Sequence, residues 1–355
     1  MNKLGNNTAR LGRFITGLLL AVLALPAVAA DSYVDEFDVT ATPIDDSPRL
    51  RDIHYPDWFK SSFLDLNTDL DEAIKSGKKG IIIYFGQKNC AYCEALMERD
   101  FGQKDIAEYT RHNFDVIALD IWGSREVTDL QGKELTEHDL SIREQTNFTP
   151  SLLFYDRDGK LALKMRGYYP PYKFRAALEY VVDGHYKKES YRDYLLRADP
   201  PPKFEIGDLN ERVFFQKPPF ALDRSHIPAN RPLVVFFEQK ECHACDVLHS
   251  DPLEDPGVLL LLSQMDAVQL DMWSDTPVIT PSGQKMTAEE WANNLGIFYA
   301  PTLVFFDELG HEIFRVDSVV RLHRLHQVLD YVLTKAYQDT DYQTWARQQR
   351  AAAQQ

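Results

Sequence analysis

The stretch YFGQKNCAYC, Tyr84 to Cys93, returns 152 residues later as FFEQKECHAC, Phe236 to Cys245. The likeness continues beyond it. With the spacing shortened by one residue, ALDIW (Ala118–Trp122) matches QLDMW (Gln269–Trp273), and FTPSLLFYDRDG (Phe148–Gly159) matches YAPTLVFFDELG (Tyr299–Gly310). Tyr180 and Tyr191 fall into step with Tyr331 and Tyr342. An ordered series with one slip means a duplicated unit, because shared composition cannot produce it. Length agrees: single cores stop growing near ~250–300 residues, and the chain has 355.

Each copy carries the same coarse grammar. In the first, LDLNTDLDEAIKSGK predicts a helix ending near Gly77, and GIIIYF (Gly80–Phe85) a strand buried on both faces. A helix carrying the cysteines follows, then a second buried strand in FDVIALDIW. REVTDLQGKELT holds a turn at Gln131-Gly132, and a short helix starts near Glu137. Two strands join at an Asp-rich turn, Asp156–Gly159, and a last helix runs from about Tyr172 to Asp183. In copy two, Thr287 to Glu290 is a capping box that starts the inserted helix. This order predicts an α/β fold: two domains, each a central mixed sheet flanked by helices, with a hairpin and helix inserted before the Thr-Pro or Ala-Pro strand.

The domains are expected at 53–197 and 233–346. Between them, 198–232 holds seven of the chain's 19 prolines and suits an extended connector, in which VFF (Val213–Phe215) docks as an edge strand. Residues 31–52 are acidic and proline-interrupted, expected to run irregularly along the surface, and 347–355 reads as a polar tail.

Lys3, Arg10 and Arg13 precede the apolar run FITGLLLAVLALPAVAA, and small residues stand at cleavage spacing before Asp31. That is the pattern of a signal peptide over 1–30. Cleavage would take the net charge from −15 to about −18. The expectation is a soluble periplasmic protein with no stable membrane insertion. With 39 basic residues against 54 acidic, no basic patch of the kind that follows nucleic acid stands out.

All four cysteines lie in the two repeated stretches, as Cys90/Cys93 and Cys242/Cys245. A bridge across three residues constrains the unfolded chain little, so a structural staple is the weaker explanation. At a strand-to-helix junction the first sulfur meets unpaired N–H groups and the positive end of the helix, which favour the thiolate. The second sits on the same helix face, placed to resolve a mixed disulfide. Cys90 and Cys242 are thus the candidate nucleophiles, Cys93 and Cys245 the resolving cysteines.

These stretches resemble the thioredoxin superfamily, and the resemblance covers most of both copies. Thr149-Pro150 and Ala300-Pro301 match the family's cis-proline element, which implies a backbone edge for an extended substrate. Pro150 and Pro301 lie 60 and 59 residues after the nucleophiles, more than in plain thioredoxins. With the Asp-x-Trp and the insertion, the pattern looks like the periplasmic SoxW-like group, whose members keep exported thiols reduced. The resemblance implies a thiol–disulfide oxidoreductase acting on exported proteins with cysteines, fed by a membrane thiol donor, with no cofactor and no metal.

Departures from plain thioredoxin carry information. The family's buried acid, six residues before the nucleophile, is replaced by Tyr84 and Phe236. The nearest acids are Glu94 in copy one and Glu238, Glu241 and Asp246 in copy two, which would oppose thiolate formation if close to the sulfur. Tyr92 and His243, between the cysteines, are candidate redox tuners, and a protonated His243 would make copy two the more oxidising. His323 and His326 read as surface residues, and GYYPPYKF (Gly167–Phe174) as a packed loop. Three alternatives stay open: oxidative disulfide formation, a non-enzymatic chaperone or scaffold, and a four-cysteine zinc site.

Overall fold

The computed structural model describes residues 43–198 and 208–352. The expected signal peptide, residues 31–42 and the first part of the connector lie outside the described residues.

In copy one, Asp65 caps helix α1 (Leu66–Lys75) by accepting from the amides of Asn67 and Thr68. Strand β1 (Gly80–Gly86) follows, then α2 (Ala91–Ala95), which runs through a π turn at Leu96–Asp100. Helix α3 (Lys104–Asn113) leads into β2 (Phe114–Asp120). The insertion is a hairpin, β3 (Glu126–Thr128) and β4 (Glu134–Thr136), with α4 (Glu137–Arg143). Strands β5 (Ser151–Asp156) and β6 (Leu161–Arg166) and helices α5 (Pro171–Val182) and α6 (Tyr191–Ala198) complete it.

The sheet runs β2-β1-β5-β6, with β1 parallel to β2 and antiparallel to β5. Every residue of β1 is buried. Ile82 and Tyr84 face the core that holds the cysteines, while Ile81, Ile83 and Phe85 face the core under the insertion. A strand covered on both faces has no polar side to show, which is why its sequence reads as an unbroken apolar run.

Copy two repeats this frame. After β7 (Phe220–Ala221) come β8 (Leu233–Glu238), α7 (His243–Ser250), α8 (Pro256–Leu262) and β9 (Asp266–Asp271). Its insertion is β10 (Pro277–Ile279), β11 (Lys285–Thr287) and α9 (Ala288–Asn294), the last started by the expected capping box. Then follow β12 (Thr302–Phe306), β13 (Glu312–Val316), α10 (Leu322–Leu333) and α11 (Tyr342–Ala352). The sheet order is β9-β8-β12-β13, the same as in copy one. Late tyrosines do the same task in both: Tyr180 and Tyr331 donate to the carbonyls of Glu189 and Thr340 at 2.7 Å, tying the last two helices of each copy together.

Several segments depart from the sequence expectations. Val213–Phe215 forms no strand: Phe215 is buried in the second core, Val213 is exposed, and the strand is β7, pairing in parallel with β10. The expected polar tail is helical to Ala352, because Tyr342, Trp345 and Ala346 give α11 a buried face. The described part of 31–52 has no regular structure, but it does not simply cover the surface. Ile44 is buried, and the Arg51 side chain is 2% exposed, donating to Glu94 and to the carbonyls of Asp45 and Ser47.

The copies pack through the ends of their sheets that carry the prolines. Phe148 meets Phe314 and Tyr342, and Tyr169 meets Phe298 and Tyr299, with ring centroids 5.3–5.7 Å apart. Tyr168 and Tyr169 of the GYYPPYKF loop are therefore buried. The approach is close at Gly167 (φ +88°), where a side chain would collide with Ser318.

Candidate active site

Each cysteine pair sits where a buried strand turns into a helix. Cys90 and Cys242 are the N-caps of α2 and α7, and their sulfurs accept from the amides of Cys93 and Cys245 at 3.0 and 3.1 Å. Both pairs are disulfides. The first sulfurs belong to residues 7% and 8% exposed, the second to residues with no exposure. Asn89 and Glu241, just before Cys90 and Cys242, take positive φ and turn the chain into the helix. Once reduced, each first thiolate would be stabilised by the N–H groups of its helix start, while its partner stays dry until attack.

The repeated Gln and Trp have a shared purpose. Trp122 donates to the side-chain oxygen of Gln87 at 2.9 Å, and Trp273 to that of Gln239 at 3.0 Å. Asp120 and Asp271 hold the two tryptophans by accepting from their amides. The Asp-x-Trp motif thus braces the loop in front of Cys90 and of Cys242.

The peptide bonds Thr149–Pro150 and Ala300–Pro301 are cis, as is Pro218–Pro219. Ser151 and Thr302 donate to the carbonyls of Phe148 and Tyr299 at 2.6 Å, fixing the two proline loops alike. The Cys90 sulfur lies 3.3 Å from Thr149 Oγ1 and 3.6 Å from its carbonyl oxygen, and the Cys242 sulfur lies 3.8 Å from the Ala300 carbonyl oxygen. The structure therefore brings the first cysteine of each pair beside the residue that precedes the proline in both copies. It keeps the two cysteine pairs at separate junctions, each closed on itself.

A thioredoxin-like domain model matches residues 66–182 and 224–333, well over half of the chain. The chain belongs to the thioredoxin-like domain family. Among solved structures it resembles a thioredoxin-fold protein from Helicobacter pylori, at 25% identity and TM-score 0.30, over 34% of this chain and 80% of that one. A thioredoxin from Thermus thermophilus matches at 24% identity and TM-score 0.23, over 29% and 73%. A disulphide isomerase from Xylella fastidiosa matches at 15% identity and TM-score 0.24, over 38% and 93%. Comparison with curated proteins finds no match.

The thioredoxin-like copies differ most in what surrounds the sulfurs. Tyr92, a candidate redox tuner, makes a contact between copies. Its hydroxyl donates to Asp46 at 3.0 Å and accepts from the Arg321 amide at 2.9 Å, and the Arg324 guanidinium lies 3.5 Å from its ring centroid. Burial pushes that hydroxyl's pKa well up, opposed by the Arg324 charge. His323, read as a surface residue, lies against Asp46, which also accepts from the amides of His323 and Arg324 at the start of α10. Asp46 and Arg324 were not singled out in the sequence.

Glu94 is paired with Arg51, Asp246 accepts from Asn210, and Glu241 is exposed. His243 is exposed on the first residue of α7. Glu238 is different. It has no exposure, and its carboxylate lies 2.9 Å from His249 Nε2 and accepts from Gln269 at 3.0 Å.

Copy one also buries the carboxyl of Asp100. Asp100 ends the π turn with its carboxyl fully buried, and Tyr168 is the side chain that approaches it as a hydrogen-bond donor. Burial raises its pKa well above the usual carboxylate range, and Tyr168 and Arg99 offset this less. Below about pH 4 the group is protonated folded or unfolded. As pH rises, the unfolded chain releases the proton first, so stability falls through that window. Asp100→Asn is expected to match the parent near pH 4 and to exceed it by about 1–3 kcal/mol at pH 7, seen as melting temperatures at the two pH values.

Proposed function

We propose that the chain is a periplasmic thiol–disulfide oxidoreductase that reduces or isomerises disulfides of exported proteins through both CxxC centres. The observation that carries this is the repeated N-cap geometry: a first sulfur that accepts from a helix amide, a fully buried second sulfur, and, beside the first sulfur, the carbonyl of the residue before the proline. In the reducing direction Cys90 or Cys242 attacks a substrate disulfide and one substrate thiolate leaves. Cys93 or Cys245 then attacks the mixed disulfide, releasing the second thiol. A thiol donor at the membrane would return the two electrons. The SoxW-like pattern of the insertion and the leader over 1–30 support the compartment and the reducing direction. Among the described residues no helix is long and apolar enough to cross a membrane.

Cys93→Ala and Cys245→Ala, made separately, test the reading. Each variant is expected to accumulate mixed disulfides on Cys90 or Cys242, identified by mass spectrometry. Absence of trapped species from both would sink it. In full chains keeping one pair at a time, the second centre is expected to have the higher reduction potential.

A further inference from the structure

Cys90 does not open onto a bare surface. It lies in a cleft of about 710 Å³ between the Gln87–Tyr92 turn, segment 46–50 and helices α10 and α11 of the second copy. The charge of this cleft opposes that of the chain, which carries −15. Arg49, Lys88, Arg347 and Arg350 line it, with Asp46 and Asp120 as the acids. Both acids are already engaged, Asp46 by Tyr92 and the start of α10, Asp120 by the Trp122 amide. Lys88, Arg347 and Arg350 have no carboxylate partner among the described residues.

The two α11 arginines are the telling pair. Arg347 lies over Trp122, 4.6 Å from the ring centroid, on the tryptophan that braces the nucleophile loop. Arg350 is half-buried one turn on. Its pKa is lowered, by burial first, with Tyr342 opposing and the neighbouring Arg347 charge adding to the fall. A guanidinium held partly out of water beside a second one is destabilised unless an anion joins them, and its donor fork suits a carboxylate.

We propose that the first centre is selective for disulfides that carry carboxylates close to the sulfur, held by Arg347 and Arg350. This rests on the oxidoreductase reading above and names its substrate class. The carboxylates can belong to a small disulfide or to acidic residues beside a peptide cysteine. Cys90 attacks one ligand sulfur, the ligand S–S bond breaks, and the leaving thiolate takes a proton from water. Cys93 closes the Cys90–Cys93 disulfide and frees the second thiol, so two electrons pass from the protein to the ligand. A dithiol reductant restores the pair.

The test uses the full chain with Cys242→Ala and Cys245→Ala, reduced with dithiothreitol and desalted. Rates of Cys90–Cys93 oxidation are measured with hydroxyethyl disulfide, oxidised glutathione, and two peptide disulfides flanked by glutamates or by lysines. Each rate is divided by that of free dithiothreitol with the same disulfide. The carboxylate disulfides are expected to exceed the neutral one by about tenfold or more, with the excess falling as salt rises. Arg347→Gln with Arg350→Gln is expected to bring the ratio to within about twofold of unity. Glutathione alone showing the excess assigns the site to small disulfides, and the acidic peptide alone assigns it to proteins. Equal normalised rates, or an excess that survives the substitutions, overturn the selectivity alone. No reaction with any disulfide overturns the oxidoreductase reading of this centre and the selectivity with it.

Discussion

Arg324→Ala is expected to free Cys90 while weakening the contact between copies. Arg324 is 9% exposed, stacks over Tyr92, lies 4.7 Å from the Phe148 ring centroid, and donates to the Thr149 carbonyl at 3.0 Å. That carbonyl lies 3.6 Å from the Cys90 sulfur, on the edge to which an extended substrate would pair in this family. The edge in copy one is thus held by a side chain of copy two. Removing a desolvated cation–π contact costs about 2 kcal/mol, and a charged hydrogen bond about 1.5–3. These share one side chain and do not simply add, so a loss of about 2–4 kcal/mol is expected. In reduced chains lacking the second cysteine pair, alkylation of Cys90 should accelerate by about tenfold or more, because its proline edge is uncovered. Loss of stability with unchanged alkylation would show that Arg324 only holds the copies together.

What sequence reasoning could and could not reach follows from how far apart the partners lie. The duplicated motif, the buried strands, the insertion hairpins and the proline loops were legible because each is local or repeated. Periodicity, turn chemistry and capping announce them within a few residues. The latch on the first centre was not legible. Asp46 caps a helix 277 and 278 residues away, at His323 and Arg324, and the second of two aspartates in a proline-interrupted segment carries no mark of that role. The same holds for the arginines of α11. Arg347 and Arg350 read as part of a polar end, and only the packing of α11 against copy one places Arg347 over Trp122 and Arg350 in the same cleft. Duplication even hides the asymmetry, since matched motifs suggest matched surroundings.

A second asymmetry lies beneath the cysteine helices, and Glu238→Ala should expose it. Tyr84 and Gly86 of β1 correspond to Phe236 and Glu238 of β8 at the 152-residue spacing. In copy one the buried hydroxyl of Tyr84 fills the space beside residue 86, where any side chain would collide with it. In copy two Phe236 lacks that hydroxyl, and the Glu238 carboxylate occupies buried ground next to His249, four residues beyond Cys245 on the same helix. Arg212 donates to the His249 carbonyl and approaches its ring from the other side. Truncating the glutamate leaves His249 Nε2 and the Gln269 amide without their buried acceptor. Leaving a buried donor without its acceptor costs about 1–3 kcal/mol, and with two donors orphaned the change stands among the larger effects of a single substitution. Hydrogen exchange on the full chain should show the loss confined to β8, α7 and β9, with β1 and α2 unchanged. Glu238→Gln, which keeps an oxygen and the volume, should cost less. If both variants leave exchange in copy two as it was, the carboxylate is not what holds the base of α7, and the difference between the copies must be sought at His243 and the helix start.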